Sequence, residues 1–226
     1  MPSASPELKR RVAVLMVTVP VMLGLIFFVP AGTLRYWQAW AFMAVLMIPM
    51  MSVVLCFLKR DPALLDRRLR TREKERPQKI ILALSYPVFI AASLVPGFDH
   101  RFAWSSVPPA VSVAADLVVL AGYALFVLVL RENSYASRII EVDEQQRVIS
   151  TGPYAVVRHP MYVAIILIYL AGPLALGSFW ALIPAAIIPG IIVARIINEE
   201  RVLTEKLAGY EEYTRRVRYR LIPEIW

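Results

Sequence analysis

An arginine and a histidine stand side by side where a polar stretch, EVDEQQRVISTGPYAVVRHPMY, runs directly into an apolar one. Arg158, His159 and Tyr162 would gather there at the start of a helix, with Pro160 suited to its first turn. Backbone N–H groups left open at such an end can receive an anion or a carboxylate. A plainer reading fits the same residues: Arg158 reaches out to lipid headgroups, while Tyr154 and Tyr162 are interfacial aromatics. A second feature lies further along, in ARIINEERVL. Arg195, Glu199 and Glu200 fall on one helix, and the four-residue step from Arg195 to Glu199 puts those two on a shared face. A charge within an apolar helix is costly unless it is paired or faces a cavity. An ion pair closing the helix and a working site are compatible here. A carboxylate can hold a ligand's ammonium, and an arginine fork can orient a carboxylate or a phosphate.

The elements that must position these residues are membrane helices. Apolar residues make up 58% of the 226, and they come in blocks of the roughly 20 residues needed to cross about 30 Å of hydrocarbon. Spans are expected over residues 12–29, 37–58, 80–95 and 110–130. The apolar stretch 161–197 is too long for one crossing. It is broken by Gly172, Pro173, Gly177, Pro184 and Pro189, which predicts two spans joined near 175–179. The charged segment 198–220 is amphipathic at helical spacing through Leu203, Leu207 and Tyr210. The expected fold is an all-α integral membrane protein of about six transmembrane helices, the last two a Pro/Gly-broken hairpin, plus a cytosolic C-terminal amphipathic helix. It forms a single membrane domain over 1–226, with a four-helix N-terminal part (1–130) and a site-bearing part (131–226).

The net charge of +8 follows from this topology. All 25 Lys and Arg residues except Arg35 and Arg101 fall on one side of a six-crossing arrangement, and the positive-inside rule makes that side cytoplasmic, both termini included. The basic loop 59–79 reads as a solvated, topology-setting segment, with a lipid-headgroup site as the other reading. No module of interleaved basic and aromatic residues supports nucleic-acid binding. The first apolar run, 12–29, is longer than the 7–15 residues or so of a signal-peptide core and is read as a membrane helix. Cys56 is the only cysteine and there are two histidines, which excludes an intrachain disulfide and argues against a zinc-type site. A transporter is disfavoured, since the charges lie at the inner boundary and the two halves show no repeat.

Three segments carry a family resemblance: GPYAVVRHPMY at Gly152 to Tyr162, NEERVL at Asn198 to Leu203, and GYEEYTRRVRYRLIP at Gly209 to Pro223. In order and spacing they resemble the isoprenylcysteine carboxyl methyltransferase family and, more distantly, the membrane phospholipid methyltransferases. The likeness covers about the last 40 per cent of the chain, residues 133–223, and the loop DPALLDRRLR adds to it. It implies S-adenosylmethionine as methyl donor, S-adenosylhomocysteine as product, and a lipophilic acceptor entering from the bilayer. Isoprenylcysteine-type carboxylate O-methylation is the leading reading. A phospholipid, thiol or amine acceptor, or a catalytically silent membrane scaffold, is the alternative. Matched by position, the cofactor would meet Gln146, Arg147, Val148, Ile149, Tyr154, His159, Pro160, Met161 and Tyr162. Glu199 matches the carboxylate near the cofactor and Arg195 the substrate-side arginine, the two residues expected to be catalytic. No metal is expected, and His159 is expected to act through position more than proton transfer. The chain departs from the family at Ala164, where many members have glycine, and at Leu207 and Ala208, where many have a phenylalanine-glycine pair.

Overall fold

A computed structural model describes residues 4–69, 76–133, 135 and 146–226; the expectations for 1–3, 70–75, 134 and 136–145 lie outside the described residues. Nine α-helices and one short 3-10 turn are found among them, with no strand. Helix α1 (Pro6–Ala31) opens on the Ser5 side chain, which accepts from the Leu8 amide at 3.1 Å, with Pro6 in the first turn. It closes at Gly32, whose φ of +66° is left-handed and suits a residue without Cβ. Helix α2 (Trp37–Arg60) returns antiparallel. The short α3 (Pro62–Arg68) follows, and then the long α4 (Arg76–Phe102), which packs on α1, and α5 (Pro109–Glu132), which packs on α2 and on α6 (Pro160–Ala175). The short α7 (Leu182–Ala185), α8 (Ile188–Lys206) and α9 (Tyr210–Arg216) complete the chain.

Among the described residues, five helical segments are long and apolar enough to cross a membrane: α1, α2, α4, α5 and the run Leu182–Lys206. The expected sixth, α6, has 16 residues, or roughly 24 Å at 1.5 Å per residue, short of a full hydrocarbon core. It nevertheless runs the depth of the bundle. Near its start, Met161 sulfur receives Arg68 Nη1 at 3.4 Å at the basic end. Just beyond its end, the Leu176 carbonyl accepts the Tyr36 hydroxyl at 2.5 Å at the opposite end.

Two expectations need correction. The stretch after residue 95, expected in a loop, is helical to Phe102. It stays helical because α4 packs on α1 at Gly97, where an added Cβ would lie 2.8 Å from the Phe27 carbonyl oxygen. It also stays because Asp99, 1% exposed, caps the bundle: its carboxylate accepts the Ser105 amide (2.7 Å) and the Ser105 and Ser178 hydroxyls (2.7 and 2.5 Å). That tie holds the α6–α7 connection to α4. Likewise, the segment 198–220 is not one amphipathic helix. Asn198–Lys206 continues α8, and only after a left-handed Gly209 (φ +81°) does α9 begin.

α5 packs closely against α6, joining the N-terminal part to the site-bearing one. An added Cβ at Gly122 would meet Ile168 Cγ1 at 3.0 Å and the Ala164 carbonyl oxygen at 3.1 Å. Ala164 is fully buried.

Candidate active site

At the basic end, α5, the segment 146–159, α6, α8 and α9 converge around a pocket of about 890 Å³ of empty space, its open mouth included. Of the residues expected at the site, Gln146, Arg147, Val148, Ile149, Tyr154, His159, Met161, Tyr162, Arg195 and Glu199 line it. Pro160 does not. It is fully buried at the first turn of α6, where its fixed φ starts the helix.

Tyr162 is the hinge of the polar arrangement. It stands one turn into α6, and its hydroxyl accepts from Arg195 Nε at 2.7 Å and donates to Glu199 Oε2 at 2.5 Å. The shared face of Arg195 and Glu199 is therefore joined through a phenol supplied by the neighbouring helix. Beneath α8, Gln78 of α4 donates to the Arg195 carbonyl at 3.2 Å, so the backbone at that arginine is held as well.

Arg158 neither reaches for headgroups nor waits for an anion. It is 7% exposed. Its Nε donates to Glu200 Oε1 at 2.7 Å, and its Nη1 donates to the Val217 and Arg218 carbonyls at 2.9 and 2.7 Å. The same Glu200 oxygen meets His159 Nε2 at 3.1 Å, and its other oxygen accepts Arg220 Nε at 2.7 Å. One carboxylate thus gathers two arginines and a histidine. Backbone bonds reinforce the clamp, from the Arg158 amide to the Tyr219 carbonyl and from the His159 amide to the Arg220 carbonyl. The open donors expected at this helix start are mostly taken, because the His159 carbonyl also accepts the Tyr162 and Val163 amides.

The remaining wall is aromatic and apolar. Leu203, Leu207, Tyr210 and Tyr213 line it, packed with Val148 and Val217. Tyr213 donates to the Tyr154 carbonyl at 2.8 Å, and the Tyr154 hydroxyl receives Asn133 Nδ2 at 3.0 Å. Burial pushes the Tyr154 phenol up to about 12, with the Asn133 hydrogen bond opposing it. Burial, helped by nearby Glu200, also raises Tyr210 well above the usual phenol range, and burial with the Tyr154 phenol beside it does the same for Tyr213. These phenols stay neutral donors. The buried Tyr210 hydroxyl has no hydrogen-bond partner among the described residues, which a bound polar ligand would supply.

Sequence reasoning missed Asn133, Tyr135 and Tyr213 as lining residues, and Glu200 as the clamp. Tyr210 and Leu207 were visible only as an amphipathic stripe. The one signal that pointed to Glu200 was its place beside Glu199, since its partners Arg158, His159 and Arg220 lie 42, 41 and 20 residues away along the chain.

Apolar helices of membrane length around a polar, carboxylate- and arginine-bearing pocket define a membrane protein with an enzyme-like site at its basic end. Residues 111–209 match the family model described as phospholipid methyltransferase. The matched region runs from the first turn of α5 to Gly209 and includes every lining residue except Tyr210 and Tyr213. This similarity supports a membrane methyltransferase. No curated protein matches the chain.

Proposed function

We propose that this protein is an S-adenosylmethionine-dependent methyltransferase that modifies a lipophilic acceptor. Its bundle would have six crossings, with both termini and the active site cytoplasmic. The reading is carried by one observation: the segment 146–162 and the Arg195–Tyr162–Glu199 array, far apart in sequence, line a single pocket. The donor set fits the cofactor. Glu199 offers a carboxylate to its ammonium or sulfonium, Tyr154 and Tyr162 offer rings to a cation, and the Tyr210 hydroxyl offers a hydrogen bond.

Bound there, the cofactor supplies an electrophilic methyl group. The side chains have only to align and to exclude water. Glu199, fixed by Tyr162, holds the cofactor's charge. Arg195, fixed by the same hydroxyl, orients the acceptor's oxyanion. Val148, Ile149, Leu203 and Leu207 supply apolar wall that strengthens these charges by keeping water out. His159 shapes the loop, and a carboxylate acceptor needs no general base.

The leading acceptor is an isoprenylcysteine-like carboxylate, methylated on oxygen. A phospholipid headgroup is the second reading, favoured by the description of the matching family. Calorimetric titration of S-adenosylhomocysteine into the purified protein in detergent tests the proposal, with Glu199→Ala as control. Micromolar binding lost in the variant supports it. Absence of binding in folded protein leaves the silent-scaffold reading.

A further inference from the structure

The segment that follows α9 folds back on itself. The Arg220, Leu221 and Ile222 amides donate to one Trp226 main-chain oxygen at 2.9, 2.9 and 3.1 Å, and the Ile225 and Trp226 amides donate to the Ile222 carbonyl at 3.2 and 3.1 Å. Pro223 between them has no N–H to satisfy. A turn whose backbone is so nearly satisfied from within can lie in a medium that offers few hydrogen bonds.

The turn is seated on a membrane-length helix. Leu221 is buried with Ile188, Ile192 and Ile196 of α8, and Trp226 packs on the same cluster. Those isoleucines belong to the run Leu182–Lys206, which is apolar enough to cross a membrane. Ile197, exposed beside the buried Ile196, shows that α8 still presents apolar surface outward at this level. Ile222 and Ile225 are left outside the packing, 52% and 76% exposed. Arg216 and Arg218 are exposed as well, and neither side chain makes a hydrogen bond or ion pair among the described residues. Glu224, exposed in the turn, limits its depth to the headgroup level, because an unpaired carboxylate does not enter hydrocarbon. Isoleucines edged by arginines match a phospholipid leaflet, whose acyl chains take the first and whose phosphates take the second.

The same stretch closes the pocket. Arg158 donates to the Val217 and Arg218 carbonyls, the Tyr219 and Arg220 carbonyls accept the Arg158 and His159 amides, and Arg220 Nε holds Glu200. The Arg220 guanidinium also stands 4.9 Å from the Trp226 ring centre. Whatever holds the turn therefore holds the wall that carries His159.

We propose that the turn 220–226 is a membrane-docking surface: Ile222 and Ile225 enter the acyl-chain boundary of the leaflet at the basic end, Arg216 and Arg218 bind its lipid phosphates, and this contact keeps the pocket wall closed. The last clause rests on the methyltransferase reading in treating the pocket's ligand as a cofactor; the lipid contact does not.

Ile225→Cys in a Cys56→Ser background is labelled with nitrobenzoxadiazole and placed in phosphatidylcholine nanodiscs. Glu212→Cys, at an exposed position of α9, is labelled in the same way. The Ile225 probe should be quenched by phosphatidylcholine spin-labelled high on its acyl chain and shielded from aqueous iodide, and the Glu212 probe should show the reverse. An Ile225 probe as open to iodide as the one at Glu212 overturns the proposal. So does a probe shielded from iodide yet insensitive to the spin-labelled lipid, which would assign the turn to a protein partner or a second copy. Control of the pocket is read without a label, by S-adenosylhomocysteine calorimetry in the same nanodiscs. Ile222→Asn combined with Ile225→Asn should weaken binding about fivefold or more, as when the closed wall is held only part of the time, with melting temperature unchanged. Ile222→Leu with Ile225→Leu should bind as wild type does. Equal affinity in the Asn pair and wild type, or an equal loss in the Leu pair, overturns the coupling. Should the Asn pair not fold, Arg216→Gln with Arg218→Gln decides: weaker binding supports the proposal and no change overturns it. Lipid contact at Ile225 in a wild-type protein that ignores S-adenosylhomocysteine would sink the cofactor reading and leave the docking surface standing.

Discussion

Glu199 and Glu200 are neighbours in the chain with different tasks. Glu199 faces the pocket beside Tyr162, whereas Glu200 is surrounded by Arg158, His159 and Arg220. Substitution should separate them. Glu199→Gln is expected to abolish S-adenosylhomocysteine binding with little change in melting temperature. Glu200→Gln leaves buried cations with a weakened partner and should destabilise the fold by about 3 kcal/mol, read by melting in detergent. The phenols give a pH signature. Tyr154 ionises at about 10 when unfolded and at about 12 when folded, so its contribution is complete below pH 10 and lost as pH rises through 12. Tyr210 and Tyr213 shift the same way. Melting temperature should therefore fall on the alkaline side above pH 10, and less steeply in Tyr154→Phe. The pairing of Arg195 with Glu199 was legible because helical spacing alone puts them on one face. The phenol between them and the clamp on Glu200 were not, since both depend on contacts between residues at least 20 apart in sequence.

Among the helices, the long ones were legible from hydropathy because hydrocarbon thickness sets their length. What escaped was decided by packing: the extension of α4 to Phe102, the docking of α3, and the break between α8 and α9. Gly97 shows how. A methyl group there would meet the Phe27 carbonyl oxygen and Pro30 Cβ, both at 2.8 Å. Backbone cannot step aside as a flexible side chain can. Gly97→Ala should therefore cost about 1–3 kcal/mol through overpacking, outweighing the roughly 1 kcal/mol helix-propensity gain. Because this contact lies at the end opposite the pocket, the folded fraction should keep its S-adenosylhomocysteine affinity, which calorimetry would check.

The molecule gathers most of its charge at one end and has its Asp99 tie at the other. The proposed topology makes a direct forecast for a Cys56→Ser background: cysteines at Leu34→Cys and Arg215→Cys should react with a membrane-impermeant thiol reagent from opposite sides of sealed vesicles. Reaction from the same side would refute it. That the candidate pocket is lined by residues after Arg131 was legible from the polar segment that runs into an apolar one there. The contact of Arg68, at the end of α3, with the pocket-lining Met161 was not.

The bonds from Arg158 and His159 to the carbonyls of residues 217–220 also impose an order of assembly. During synthesis the long apolar helices leave the ribosome before the C-terminal segment 217–220 that closes the pocket. The bundle can insert and pack while its pocket is still open on one side. Closure of the pocket is then a final step, later than the emergence of the apolar helices, so a nascent chain stalled before Val217 would carry those helices and still have a pocket open on one side.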